Sequence, residues 1–238
     1  MLSSVLLLAL VGCAKDSAVD PCEGDDALAA CSSPTQSPEY YASISSAYFD
    51  TMDYRVALES WPPYAETVAR WEWPPWLKLT AYGREDIEAS DTLLTFYPSI
   101  VEDRDCRGFD TQPFGRCRVT FYYDDHDGRP CPIYEEFTFN DAGEVTWIEA
   151  WSDLPGYLPM DDADEWAEGG GVNRLSARIP GLGGASGRID LDSEAMAAAE
   201  AEDADVADFV WRARDWQAAW IEETLAAGDG IWEEGCGW

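Results

Sequence analysis

The apolar residues that follow residue 38 recur at first with a helical period. Four of them lie three or four positions apart and predict one apolar face of a first helix: Tyr41, Ile44, Tyr48 and Met52. A second helix is predicted over residues 60–71, because Ser60 can cap it and the two prolines that follow are tolerated in a first turn. The folded domain is therefore expected to begin with helices.

Beyond residue 75 the pattern changes to the alternation that is typical of strands. Five runs are predicted to be strands: residues 76–82, 92–101, 118–124, 133–140 and 145–151. A short helix over residues 84–89 is predicted directly after Gly83. Helices followed by an antiparallel meander predict an α+β fold, in which the helices close one side of a strongly curved sheet.

The last two strands are predicted to form a hairpin around the turn from Asn140 to Gly143. Alternate residues of a strand point to the same side, so the aromatic residues of these strands are expected to be grouped by face. Phe137 and Phe139 share one face of the first strand. One face of the second strand is expected to carry Val145, Trp147 and Trp151.

Composition divides the chain into four segments. They are a signal peptide over residues 1–12, a small and polar tether over 13–38, the folded domain over 39–153, and an acidic, helical extension over 154–238. The extension contains an apolar stripe on a predicted long helix: Val206, Phe209, Val210, Ala213, Trp216 and Trp220. Such a stripe predicts packing on the folded domain, with a groove of a partner as the alternative.

The apolar run that ends in Leu10-Val11-Gly12-Cys13 resembles the leader of a bacterial lipoprotein. In such leaders the cysteine receives the lipid, so Cys13 is the predicted lipidation site. The run is shorter than the ~20 residues of a membrane-spanning helix. An ordinary secretory leader is the alternative. Ala14 favours the outer membrane, so the expected location is the bacterial cell envelope, with membrane contact through the lipid anchor.

The formal net charge of -32 narrows the classes of partner. So acidic a surface repels phosphate backbones, which excludes nucleic acid as a partner. Hydrophobic residues make up 46% of the chain, with 12 Trp, 11 Tyr and 8 Phe. This content predicts a packed core rather than a disordered chain.

Seven cysteines occur, and the six besides Cys13 are an even number that predicts three disulfides in an oxidising compartment. The preferred pairing is local: Cys22 with Cys31, Cys106 with Cys117, and Cys131 with Cys236. Other pairings remain open. A metal site is the competing interpretation, but no CxxC spacing occurs and His126 is the only histidine. Neither a metal nor a cofactor is therefore predicted.

Residues 135–153 resemble the closing hairpin of nuclear transport factor 2-like (NTF2-like) and SnoaL-like proteins. The shared pattern is an aromatic strand, an Asp-x-Gly turn, and a strand that ends in a tryptophan followed by an acid. Residues 83–87 similarly resemble the Gly-x-x-x-Ile helix after the first strand of these families. The resemblance spans residues 39–153 and implies a cone-shaped α+β domain with an interior pocket.

In SnoaL-like cyclases an aspartate just beyond that tryptophan is the acid/base, and Asp153 is the nearest match in this chain. The resemblance therefore implies Asp153 as a tentative catalytic residue. Apolar walls would raise its pKa by desolvation. Four aromatic residues are the candidate walls: Tyr123, Phe137, Trp147 and Trp151. The structural alternative is that Asp153 solvates a strand end while the aromatic residues fill the core.

Proteins with this fold isomerise, cyclise or dehydrate substrates, bind ligands or associate with other proteins, so the fold leaves the function open. The leading expectation is an envelope lipoprotein that binds a small apolar ligand or a protein partner. The alternative is an isomerase, cyclase or dehydratase that uses Asp153, and a purely structural envelope role is the third. His126 lies between Asp125 and Asp127, where a polar turn is favoured over a catalytic base. The oligomeric state is left open.

Overall fold

The structure is a computed structural model, and it describes residues 33–72, 78–94, 99–123, 127–154, 166, 175, 178–180, 190–214, 226 and 236–237. The predicted leader with Cys13 and most of the predicted tether lie outside the described residues. So do His126 and most residues between 154 and 190. None of the described helices is long and apolar enough to cross a membrane.

The described residues form four α-helices and six strands. The helices are α1 Pro38–Tyr48, α2 Arg84–Leu94, α3 Glu194–Glu202 and α4 Ala204–Arg214, and a 3₁₀ turn Phe49–Thr51 follows α1. The strands are β1 Tyr64–Glu72, β2 Lys78–Tyr82, β3 Ser99–Gly108, β4 Phe114–Tyr123, β5 Arg129–Phe139 and β6 Val145–Ser152.

All six strands form one sheet in the order β2-β1-β6-β5-β4-β3. Neighbouring strands are antiparallel except β1 and β6, which are parallel, so the sheet is mixed. A parallel pair requires a long connection, which the rest of the domain supplies between β1 and β6. The predicted α+β class, with helices packed on the sheet and a helical extension after it, is confirmed.

The prediction of a second helix over residues 60–71 is wrong, because most of this range forms β1. The carbonyl oxygen of Pro62 accepts a hydrogen bond from the backbone N–H of Tyr64 at 2.8 Å, and that of Pro63 accepts one from Val145 at 2.7 Å. The prolines thus lead into the parallel pairing with β6. The second half of β1 is buried on both faces, which removes the alternation that distinguishes a strand from a helix.

The remaining elements are confirmed with shifted ends. The short helix predicted over residues 84–89 extends to Leu94 as α2, and the strand predicted to begin at residue 92 begins instead at Ser99. Ile87 and Asp91 lie one helical turn apart in α2, and both are fully buried against the sheet. Packing of this face therefore continues the helix beyond its predicted end.

Different helices cover the two faces of the sheet. We name the face under α1 and α2 the N-terminal face, and the face under α3 and α4 the C-terminal face. Successive residues of a strand alternate between the two faces. In β5, Phe137 lies in the hydrophobic cluster of the N-terminal face and Tyr134 in that of the C-terminal face.

A β-bulge in β6 divides residues that were predicted to share one face. Val145 pairs with Phe139 and Trp147 pairs with Thr138, so two steps along β6 match one step along β5. Val145 lies in the cluster of the N-terminal face, whereas Trp147 and Trp151 lie in that of the C-terminal face. The predicted common face of these three residues is therefore wrong.

Helix α1 lies close to β3 and β4 because two facing glycines leave room for it. Gly108 and Gly115 are cross-strand partners. A Cβ atom on Gly108 would lie 1.9 Å from the backbone oxygen of Pro38, and one on Gly115 would lie 2.2 Å from Ser45 Oγ. Any larger residue would push the helix away from the sheet.

Helix α4 packs on the C-terminal face through the predicted apolar stripe. The stripe residues within the described range are buried in the same cluster as the sheet: Val206, Phe209, Val210 and Ala213. The ring of Phe209 lies edge-on to Trp147 and Trp71, with centroid distances of 4.7 and 6.2 Å. Trp216 and Trp220 lie outside the described residues.

Two of the predicted disulfides are present: Cys106–Cys117 and Cys131–Cys236. The first joins facing positions of β3 and β4. The second ties β5 to a cysteine 105 positions later, and closing so long a loop restricts the unfolded chain. Cys22 and Cys31 lie outside the described residues.

Shortening Phe209 should destabilise the protein, because its ring fills the contact between α4 and the sheet. We expect Phe209→Ala to lower the free energy of unfolding by about 3–5 kcal/mol, measured by urea denaturation. Trp211→Ala is the matched control on the same helix, since this side chain is 56% exposed, and it should cost about 1 kcal/mol or less. Equal losses in the two variants would show that α4 is not held through Phe209.

Candidate functional site

A group of buried polar side chains lies between the N-terminal face and the helices that cover it. We name these residues the interior cluster: Tyr48, Tyr64, Arg70, Asp91 and Glu135. Counting backbone and side chain together, none of these residues is more than 5% exposed. They come from α1, β1, α2 and β5, so the cluster exists only when these four elements are assembled.

Arg70 is the centre of the interior cluster. Its Nη1 donates hydrogen bonds to Asp91 Oδ1 and to Tyr48 Oη, each at 2.7 Å, and its Nη2 donates to Ser90 Oγ at 3.0 Å. The side chains of Arg70 and Asp91 are 6% and 0% exposed. Their opposite charges therefore compensate each other inside the fold.

The second oxygen of Asp91 fixes α2 against the end of α1. Thr51, in the 3₁₀ turn, donates a hydrogen bond to Asp91 Oδ2 at 3.0 Å. The same hydroxyl lies 2.7 Å from the backbone oxygen of Tyr48. Asp91 is thereby held by a cation on one oxygen and a hydroxyl on the other.

Burial raises the pKa of Glu135 well above its ordinary value, because desolvation penalises the charged carboxylate. Arg70 opposes this shift, whereas the nearby carboxylates of Glu72 and Asp91 add to it. A hydrogen bond between Tyr48 and Glu135 opposes it as well. The net direction favours the protonated carboxylic acid.

Two buried polar atoms of the interior cluster have no hydrogen-bond partner among the described residues: Glu135 Oε2 and Tyr64 Oη. Leaving one such group unpaired costs about 1–3 kcal/mol. Native proteins seldom do so except where water, a ligand or catalysis involves the group. Burial also raises the pKa of Tyr64, so its hydroxyl keeps its proton and can both donate and accept.

The charge balance of the interior cluster suits an uncharged occupant. With the proton on Glu135, the charges of Arg70 and Asp91 cancel. A charged group would have to be desolvated beside a pair that is already neutral. Within the described part of the chain, no three His, Cys, Asp or Glu side chains are grouped to hold a metal ion.

The four aromatic residues predicted to line one pocket do not come together. Phe137 lies beside the interior cluster, with its ring centroid 5.0 Å from that of Tyr48. Tyr123 packs against the hydrophobic cluster of the N-terminal face, which also contains Phe137. Trp147 and Trp151 lie on the C-terminal face, so they cannot form walls around Glu135.

Asp153 follows β6 and belongs to the other side of the sheet. Its carboxylate accepts hydrogen bonds from Arg118 Nε at 2.9 Å and from Arg118 Nη2. Arg118 is the cross-strand partner of Tyr134, which packs on the C-terminal face. The expected position of Asp153, in a pocket shared with Phe137, is therefore not observed.

The residues of the interior cluster were not identified from the sequence. Arg70 falls in the range mispredicted as a helix, although a lone cation in a strand buried on both faces requires a partner. The doublet of Glu135 and Glu136 in an aromatic strand is a second signal, because adjacent residues face opposite sides. Glu136 accepts from Arg116 Nη2 at 2.6 Å on the C-terminal face.

No protein-family model and no curated protein matches this chain. Among solved structures it is similar to SalBIII, described as an epoxide hydrolase/cyclase-like enzyme with a role in pyran ring formation in the polyether salinomycin. The identity is 12% over 47% of this chain and 89% of that chain, with a TM-score of 0.37. A putative SnoaL-like polyketide cyclase from Jannaschia sp. CCS1 gives 16% identity over 49% and 88%, with a TM-score of 0.33. The function therefore has to be argued from this chain's own residues.

Replacing Glu135 should change how stability depends on pH. Its folded-state pKa lies above the ordinary value of 4.5, so its contribution to stability is complete below about pH 4.5 and is lost as the pH rises. Glu135→Gln cannot ionise. Its stability relative to wild type should therefore increase above about pH 4.5, by at most about 1.4 kcal/mol per pH unit.

Urea denaturation between about pH 5 and pH 8 measures this difference. Glu202→Gln, at an exposed position of α3 on the other face of the sheet, is the control, and its stability should depend on pH in the same way as that of wild type. If the stability of Glu135→Gln depended on pH in the same way as that of wild type, the raised pKa of Glu135 would be contradicted.

Proposed function

We propose that the protein binds a small, largely apolar molecule at the interior cluster of the N-terminal face. The observation that carries the proposal is the pair of buried, unpaired atoms Glu135 Oε2 and Tyr64 Oη. Both belong to residues that are less than 5% exposed. A bound molecule with one hydrogen-bonding group would satisfy polar atoms that the described residues leave unpaired.

The surroundings of these atoms support an apolar body for the bound molecule. Tyr48 and Phe137 pack edge to face beside the interior cluster, and Phe49 packs against both. Sites for small molecules are commonly apolar with a few polar groups that fix orientation. Glu135, as an acid, and Tyr64 can each donate or accept, so a carbonyl or hydroxyl group is the matching chemistry.

A SnoaL-like acid/base enzyme is the second candidate, and the raised pKa of Glu135 favours it. A carboxylic acid that stays protonated near neutral pH can donate a proton to a substrate, as an isomerase, cyclase or dehydratase requires. In this alternative we place the acid at Glu135. Tyr48 would act as a positioning residue between Arg70 and Glu135. Asp153 is less suited, because Arg118 pairs with its carboxylate.

Native mass spectrometry of the purified protein should detect a retained small molecule. Tyr64→Phe removes one of the two unpaired atoms and should weaken retention about tenfold, which is the upper range for one hydrogen bond. Tyr54→Phe is the matched control, because this side chain is 50% exposed, and it should leave retention unchanged.

The binding proposal also predicts which result would contradict it. If no molecule were bound, the hydroxyl of Tyr64 would be a buried cost that phenylalanine removes. Wild-type protein that retains nothing, together with a Tyr64→Phe variant that is more stable than wild type, would therefore contradict the binding proposal.

We further propose that the protein is a lipoprotein of the bacterial cell envelope, anchored to the outer membrane through Cys13. The motif Leu10-Val11-Gly12-Cys13 supports this proposal. The two disulfides among the described residues are in keeping with an oxidising compartment.

Lipidation should be detectable by detergent phase partitioning. Wild-type protein expressed with its leader is expected to partition into the detergent phase, because an acyl chain adds about 0.8 kcal/mol per buried CH₂ group. Cys13→Ala should move the protein into the aqueous phase. Identical partitioning of both proteins into the aqueous phase would exclude the anchor.

A further inference from the structure

Most large apolar side chains exposed by the described residues belong to one short segment. Tyr54, Val56 and Leu58 are 50%, 39% and 37% exposed, and Trp211 on α4 is the fourth such residue. Scattered apolar residues are normal on a protein surface, but a group of them beside a groove marks an interaction site. We name residues 54–63 the connecting segment, since they join the 3₁₀ turn to β1.

A groove of about 430 Å³ lies between the connecting segment and α1. Its apolar lining comes from both sides: Ile44, Ala47, Val56, Leu58 and Trp61. Trp61 lines the groove and is partly buried against the hydrophobic cluster of the N-terminal face. The groove is separate from the interior cluster, none of whose residues lines it.

The beginning of the connecting segment is tied to β3. The carboxylate of Asp53 accepts hydrogen bonds from the backbone N–H of Arg55 at 3.0 Å, from Arg55 Nη2 at 2.7 Å and from the backbone N–H of Val101 at 3.2 Å. The backbone N–H of Tyr54 donates to the carbonyl oxygen of Ser99 at 3.1 Å. These bonds fix the chain at Asp53–Arg55, directly before Val56.

The end of the connecting segment is tied to β6, where the oxygen of Pro63 accepts from the backbone N–H of Val145 at 2.7 Å. Both ends of the segment are therefore fixed on the sheet. A preformed surface loses less conformational entropy when a partner binds.

The charge of the groove indicates which kind of partner it can bind. Asp50 and Glu59 line it, and none of its lining residues is basic. Asp50 pairs with Arg104 at 2.6 Å, whereas no described residue forms an ion pair with the exposed Glu59. Trp61 lines the same groove, and the face of an aromatic ring attracts a cation. The groove thus matches a basic side chain with apolar neighbours.

The net charge of the whole chain narrows the choice further. Two copies that each carry -32 repel each other, so a second copy of this chain is disfavoured at the groove. The same charge disfavours nucleic acid and anionic lipid surfaces. A cationic partner would instead be attracted at long range and then fixed by the apolar contacts.

We propose that this groove is a docking site for a short segment of a partner protein that carries basic and apolar residues. A lysine or arginine of the segment binds beside Glu59 and Trp61. Its apolar residues cover Val56 and Leu58. This site is independent of the ligand proposed for the interior cluster.

The probe for the test is a short fluorescent peptide of alternating lysine and leucine, with binding measured by anisotropy at about 150 mM salt, where long-range attraction is screened. Glu59→Lys and Leu58→Ser should each weaken binding about tenfold, as for residues at the centre of an interface. A peptide with serine in place of leucine should bind about tenfold more weakly to the wild-type protein.

Glu202→Lys is the matched control, because it makes the same change of charge at an exposed position of α3, on the C-terminal face. It should weaken peptide binding less than about twofold. Circular dichroism shows whether each variant is folded. If Leu58→Ser is not folded, Val56→Ser replaces it as the variant that removes an apolar side chain from the groove. Tyr64→Phe should leave peptide binding unchanged, which separates this proposal from that for the interior cluster.

Three results would overturn the proposal. Equal weakening by Glu59→Lys and Glu202→Lys would show that the peptide senses only the total charge. Unchanged binding to both Leu58→Ser and Val56→Ser would show that the apolar groove is not used. A change of oligomeric state in either serine variant, measured by size-exclusion chromatography with light scattering, would assign the groove to a second copy of the chain.

Discussion

The buried ion pair of Arg70 and Asp91 is the interaction on which the N-terminal face depends. It joins β1 to α2, and the same guanidinium binds the Tyr48 hydroxyl of α1, so three elements meet at one cation. Removing either charge would leave the other uncompensated, at a cost of about 3–5 kcal/mol. Burial raises the pKa of the further carboxyl group of Glu135 well above its ordinary value, and Asp91, which already balances Arg70, adds to this shift. The chemistry of the site thus follows from the way in which the helices are attached to the sheet.

The adjacent glutamates Glu135 and Glu136 lie on opposite faces of β5 and have different partners. Glu136 on the C-terminal face lies beside Arg116, whose Nε and Nη2 donate to Oε2 at 2.8 and 2.6 Å, and both side chains are almost wholly inaccessible. That carboxylate therefore has its own cation. Glu135, on the N-terminal face, shares Arg70 with Asp91, and burial raises its pKa well above the ordinary value. The two faces thus differ in how a carboxyl group is balanced, by a cation of its own at Glu136 and by a shared one at Glu135, and we take the N-terminal face as the candidate site.

Features that depend only on residues close together in the sequence could be predicted from it. The hairpin turn is an example, because Asn140 Oδ1 accepts from the backbone N–H groups of Ala142 and Glu144 at 3.0 and 2.9 Å, and Gly143 takes a positive φ of 79°. The first helix and the strands of the meander belong to the same class. The strand β1 does not, since its identity depends on pairing with the distant β6 and on helices that bury both its faces. Arg70 was missed for this reason, and with it the centre of the site.

The position of a residue along β6 does not determine which face it reaches, because Thr146 interrupts the alternation. Its hydroxyl donates to the carbonyl oxygen of Thr138 at 3.2 Å within the bulge, and every later residue of β6 is shifted to the opposite face. Trp151 then packs on the C-terminal face, and Asp153, two residues further on, meets Arg118 there. Inferring an acid from its distance to that tryptophan therefore selects a residue on the side of the sheet opposite to the interior cluster. The acid on the N-terminal face comes instead from β5, where alternation continues unbroken from Phe137 to Glu135.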